Sequence, residues 1–227
     1  MHEAYMRIQG VTESVANLIR LEIITGKLPA DAKLNENDLA ERFGVSRPPL
    51  REAFRKLENE NLIVSIPRKG SCVAGISRED CEQIYRARIM IESAAIDILG
   101  EQKITNLAPL REAIEEGRRF FTPDSPAGQD LLDYFTVMSG FHNSLVELCR
   151  NRWIIHYHSQ LRPTLARYQI LFLKIPEFGE GLVDKHEEVL RLVEEQKHAA
   201  AKKELRRHIM GTLEVLLQRI SGLRESA

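Results

Sequence analysis

Three histidines stand out by their neighbours. His142 follows Phe141 and precedes Leu145, His186 lies between Val183 and Leu190, and His208 sits beside Leu205 and Ile209. Each falls on an apolar stripe of helical spacing. Imidazoles from three helices can converge on one metal inside a bundle. Three neutral imidazoles suit Zn²⁺ or Ni²⁺ and leave a position open for water or a ligand. The competing reading makes each a satisfied core histidine, the commoner fate of an imidazole beside apolar residues. His2, His156, His158 and His198 read as surface or cap residues.

A second set is cationic. Arg47, Arg51 and Arg55 recur every four residues. Four residues leave them only about 40° apart around a helix, so the three guanidiniums share one face. A planar guanidinium pairs bidentately with guanine O6/N7 or with phosphate. Base contacts come from the N-terminal end of a groove-bound helix, and here that end holds Ser46, Arg47, Pro48 and Pro49. Farther on, Arg68, Lys69 and Gly70 form a basic turn able to reach the backbone or the minor groove. The bland alternative is a solvated face whose arginines sit beside Glu52 and Glu58.

The elements that must position these residues are legible. VTESVANLIRLEIITG is a helix with Thr12 as its cap and Gly26 at its end. NENDLAERFG is a short helix capped by Asn35 and stopped by Gly44; Ser46 caps the next helix, which runs toward Asn61. LIVSI and SCVAG are the two strands of a hairpin around PRKG. Helix, helix, turn, helix and hairpin make a winged helix-turn-helix, over residues 1–76. From 77 to 227 the period is helical throughout. Six helices separated by loops such as TPDSPAG and IPEFGEG predict an antiparallel all-α bundle. The fold class is mainly α: a winged head followed by a helical domain.

Composition agrees. The chain of 227 residues carries 32 Lys+Arg against 33 Asp+Glu, a net charge of −1, so no strongly basic tail drives DNA binding. Residues 42–56 nevertheless hold five cations (Arg42, Arg47, Arg51, Arg55, Lys56) against Glu52 alone. Cys72, Cys81 and Cys149 fit neither a disulfide framework nor CxxC and read as reduced thiols. The opening MHEAYMRIQG has no apolar run of a signal peptide. No stretch has the length of a membrane span, so a cytoplasmic protein is expected.

LAERFGVSRPPLREAFRKL resembles the core of the GntR family of bacterial transcription regulators, LA-x-x-x-GVSR-x-P-[VL]-REAL-x-x-L, with arginines, turn glycine and wing in register. The resemblance implies DNA contacts at Arg47, Arg51 and the wing tip. It departs at Asn37, where relatives often carry arginine. The second domain is similar to the FadR-type effector domain called FCD. Arg88 and Glu92 match its Arg-x-x-x-Glu, and His142, His186 and His208 match its histidine ligands. Met138 stands where that family has an Asp ligand, leaving three of four expected ligands. A thioether suits Zn²⁺ poorly. By this resemblance the protein is a homodimeric, ligand-responsive repressor of double-stranded DNA, reading an inverted-repeat operator and released by a small organic acid. Arg88 is either the fork for the effector's carboxylate or the partner of Glu92 in an i,i+4 ion pair. Arg162 and Arg167 are weaker effector candidates. Two rivals remain open. One is a metal-dependent hydrolase on the three histidines with Glu187 as base, though no HExxH accompanies them. The other is a constitutive DNA binder whose bundle merely dimerises.

Overall fold

A computed structural model of the chain describes residues 2–68, 70–120, 131–169 and 180–225. It divides into two compact units. The first comprises residues 1–76 together with 163–170, and the second residues 77–162 and 171–227. The segment 163–170 therefore groups with the head, not with the bundle to which its position in the sequence assigns it.

In the first unit, α1 (His2–Ile24) buries Val15, Ile19 and Ile23 in a stripe three and four residues apart. The helix starts ten residues before Thr12, which is buried within it rather than capping it. Gly26 adopts φ 75°, which ends the following turn as the sequence suggests. A two-residue strand, β1 (Lys33–Leu34), precedes α2 (Glu36–Phe43). Asn35 caps α2 by accepting the Asn37 N–H at 2.9 Å, and Gly44 closes it at φ 63°. Helix α3 (Arg47–Asn59) buries Leu50, Ala53, Phe54 and Leu57 against α1. Asn61 takes the left-handed conformation, φ 57°, that turns the chain into the hairpin.

Strands β2 (Ile63–Ile66) and β3 (Gly70–Val73) pair antiparallel with Ser65 opposite Ser71. The sequence suggests a two-stranded wing; the sheet has three strands, ordered β1-β3-β2, with Lys33 opposite Cys72. Two residues are too few for alternation to register as a strand. Lys33 points out and Leu34 in, and β1 exists because β3 offers it a ladder.

The second unit begins with α4 (Arg78–Glu101), capped by Ser77, whose hydroxyl accepts the Asp80 N–H at 3.0 Å. It continues with α5 (Ala108–Phe120), α6 (Leu131–Leu148), the first part of α7 (Arg152–Gln169), α8 (Glu180–Glu194) and α9 (His198–Glu225). Helix α4 packs on α6 and α9, α5 on α6 and α8, and α8 on α9. Pro163 lies inside α7. TPDSPAG lies outside the described residues, as does IPEFGEG up to residue 179; its last two residues open α8. The three cysteines are free, and burial pushes the Cys81 thiol up to about 12. Among the described residues no helix is long and apolar enough to cross a membrane.

Candidate functional site

The surface that could meet DNA is built by the α2–α3 corner. Arg47, Arg51 and Arg55 are all exposed on α3. Arg51 Nε donates to Glu36 Oε2 at 2.9 Å and Arg55 Nη1 to Glu52 Oε1 at 2.8 Å. Such exposed pairs are worth at most about 1 kcal/mol and exchange readily for a phosphate. Arg42 pairs with Glu22 and Lys56 with Glu13, both on α1. Of the five cations between 42 and 56, Arg47 has no ion pair among the described residues.

Ser46 occupies the N-cap position of α3 but makes no side-chain capping bond. A capping hydroxyl accepts from the N–H of the second or third helical residue. Those residues are Pro48 and Pro49, which have none. The Ser46 hydroxyl is thus exposed and uncommitted by covalent necessity. Pro49 corrects an expectation: its ring is buried against the head's core, so it shapes the helix start and presents no surface to DNA. Arg68 (φ 65°) and Gly70 (φ 87°) are exposed at the wing tip. Around Gly70 there is open space, so backbone conformation and not crowding is what asks for glycine. Lys69 lies outside the described residues.

In the second unit, His142 on α6, His186 on α8 and His208 on α9 are buried and converge. His186 Nε2 lies 3.1 Å from His142 Nε2 and 3.2 Å from His208 Nε2. The Phe141 ring stacks on His186 at 4.4 Å and fixes its plane. Glu92, wholly buried on α4, organises the rest. His142 Nδ1–H donates to its Oε2 at 2.7 Å, and Arg88 Nε–H to its Oε1 at 2.7 Å. His158 Nε2 faces the same Oε1 at 3.4 Å, a long contact. Because an ionised carboxylate only accepts, His142 must protonate Nδ1 and turn the lone pair of Nε2 inward.

Electrostatics keeps that arrangement. Burial pushes the Glu92 carboxyl up, but Arg88 and His142 reverse this and hold it well below the usual carboxylate range. Burial, reinforced by the Arg88 charge, lowers His142 to about 4. Burial and the neighbouring imidazoles hold His186 and His208 well below the ordinary histidine value. All three are neutral at pH 7, the form that binds metal.

The donor set fits a divalent ion. Tetrahedral bonds of about 2.0 Å put neighbouring ligand nitrogens roughly 3.3 Å apart, close to the spacings seen here. Met138, buried one turn before His142, supplies no oxygen. Three imidazoles are the whole ligand set among the described residues. His208 Nδ1 is buried without a partner among them and would need an acceptor once Nε2 is engaged.

His158 corrects another expectation. It is a buried member of the centre, not a surface residue, and the signal was the apolar stripe Ile154, Leu161, Leu165 around it. Arg167 is no effector candidate: its Nη2 donates to Ala74 O and Gly75 O at 2.6 and 2.7 Å within the first unit. The hydrolase reading loses its base as well. Glu187 pairs with Arg118 at the surface, and Glu92 is committed to Arg88 and His142.

A winged helix-turn-helix followed by a separate all-helical unit is the architecture of a DNA-binding regulator. Residues 11–73 match the family described as "Bacterial regulatory proteins, gntR family", and residues 83–211 match the FCD domain. The chain belongs to the GntR family of transcription regulators, in its FCD-bearing branch, and is not an enzyme. It is 27% identical over 188 residues to the gluconate operon transcriptional repressor of Bacillus licheniformis, covering 79% of this chain and 74% of that one. It is 24% identical over 216 residues to the HTH-type transcriptional repressor GlaR of Escherichia coli K12, covering 90% and 94%. Its fold is shared by a putative GntR regulator from Rhodococcus sp. RHA1, with TM-score 0.74, 22% identity and coverage of 91% and 97%.

Proposed function

We propose that the protein is a cytoplasmic repressor that binds an inverted-repeat operator as a homodimer and is released by a small carboxylate. The head reads DNA through Ser46, Arg47, Arg51 and Arg55 of the α3 end and face, and through Arg68, Lys69 and Gly70 of the wing. Two copies related by a two-fold axis place two α3 helices in successive major-groove half-sites. Both curated relatives described above are named repressors, which supports the direction of control.

His142, His186 and His208 would hold Zn²⁺ or Ni²⁺, with a coordination position left for water or the effector. Bound there, the metal supplies a Lewis-acidic centre that attracts an anionic oxygen. The observation that carries this reading is the approach of His186 Nε2 to within 3.1 Å of His142 Nε2 and 3.2 Å of His208 Nε2, with the donor atoms of all three imidazoles inside 4.8 Å. Glu92 holds His142 in the required tautomer. Arg88, beyond its bond to Glu92, is the cation available to the effector's carboxylate. An effector changes operator affinity only by binding the operator-competent arrangement differently from the others.

Metal titration of untagged protein by calorimetry is the test, with His186→Ala as the control. Stoichiometric Zn²⁺ binding lost in the variant is expected. Equal binding by both proteins removes the metal from the reading. One observation favours a constitutive binder instead: Arg88 is 4% exposed and already ion-paired to Glu92. Thermal shifts with Zn²⁺ across a panel of carboxylic acids separate the two. A ligand of the native state raises stability, and a flat response across the panel supports the constitutive alternative.

A further inference from the structure

The wing is a weak element on its own. Its two strands have four residues each, and Val64 and Ile66 are 41% and 38% exposed. Hairpins of this size are marginal in water by themselves, and this one is paired at its side by β1 over just Ser71 and Cys72. Where the wing points therefore depends on how its two feet are held.

Both feet are held by one turn of α7. At the entry foot, Thr164 Oγ1 donates to Glu60 O at 3.1 Å, just before the left-handed Asn61. The Glu60 carboxylate is itself gripped by Arg20, whose Nε and Nη2 donate at 2.6 and 2.5 Å. At the exit foot, Arg167 Nη2 donates to the carbonyls of Ala74 and Gly75. Ala74 N–H donates to Leu62 O at 2.9 Å and ties the two feet together. Thr164 and Arg167 are three residues apart, so they share one face of α7. Both are buried and both act on main-chain carbonyls, and Arg167 makes charge-assisted bonds, the stronger kind.

We propose that Thr164 and Arg167 are positioning residues for DNA binding: together they clamp the entry and exit of the wing and fix where its basic tip meets the duplex. The proposal rests on the DNA-binding reading given above. Neither residue touches DNA; each acts through the hairpin it holds.

The test uses the full chain. Thr164→Val removes a hydroxyl with little change of shape, Thr164→Ser keeps it, and Arg167→Met removes the charged fork. Amide hydrogen exchange is followed at residues 60–75, with the α4 amides as the internal control. Operator affinity and its salt dependence are measured on DNA selected by the wild-type protein from a random pool. Expected for Thr164→Val and Arg167→Met is faster exchange confined to 60–75, with operator affinity down roughly tenfold. A shallower salt slope is expected too, since about one unit is lost per phosphate contact given up. Thr164→Ser restores all three. Unchanged exchange at the feet, or a Thr164→Ser protein as impaired as Thr164→Val, overturns the clamp. If Arg167→Met does not fold, the Thr164 pair decides alone. Arg47→Ala separates the two readings: wild-type affinity there defeats DNA recognition by α3, while exchange at the feet still judges the clamp.

Discussion

At the residue scale, Ser46 and Asn35 make a matched pair with opposite fates. Both occupy N-cap positions, yet only Asn35 finds a backbone donor. Asn35→Ala should cost about 1 kcal/mol in urea unfolding, the usual loss for a missing cap. Ser46→Ala should leave stability unchanged and lower operator affinity; a stability loss like that of Asn35→Ala would mean the hydroxyl is committed after all. Met138 invites the converse change. Met138→Asp places a carboxylate at a position only 3% exposed. Without metal the variant should be destabilised by several kcal/mol, because a buried charge lacks a partner. Zn²⁺ should restore it and bind more tightly than to wild type, as calorimetry would show; equal affinity would place residue 138 outside metal reach.

At the scale of elements, the α2–α3 corner is a surface held in check by its own carboxylates. Glu36 occupies Arg51. Glu36→Gln should raise affinity for non-specific duplex DNA and steepen the salt slope by about one unit, one more phosphate being neutralised. An unchanged slope would show that Arg51 makes no phosphate contact. This corner was the most readable part of the sequence, because capping, turn and proline signals are local. Gly44, Asn35 and Asn61 sit where their chemistry requires. What escaped was set by distant partners. β1 exists only through β3, Thr12 is submerged in a longer helix, and Pro49 is buried once α3 packs into the head. The three histidines were legible as core positions with ligand chemistry. His158 could be read as buried from its apolar stripe but not as a member of the centre, because its partner Glu92 lies 66 residues away and no spacing rule connects them.

For the whole molecule, the near-neutral charge of the chain becomes a statement about pH and about DNA. His142 titrates at about 4 in the folded chain against 6.5 as its ordinary value. Between those values the unfolded chain takes up a proton that the folded chain refuses, so folding is favoured less as pH falls from 6.5 toward 4. The contribution is complete above 6.5 and, at about 1.4 kcal/mol per pH unit, amounts to about 3 kcal/mol. Chelator-treated protein should therefore melt progressively lower across that window, and His142→Gln should weaken the dependence without abolishing it, because His186 and His208 are held below their ordinary value as well. A melting temperature independent of pH between 4 and 6.5 would contradict the buried neutral imidazole.

The first unit draws residues 163–169 from a helix more than eighty positions beyond its own last strand. That bears on inheritance and on protein engineering alike. A head cut after residue 76 and grafted onto another helical domain loses the hydroxyl and guanidinium that grip its hairpin, unless the recipient supplies equivalents. Modular exchange among such chains thus requires compatibility at Thr164 and Arg167 as well as at the linker, and hybrid regulators built with that turn of helix matched to the head are the ones expected to keep a well-placed wing.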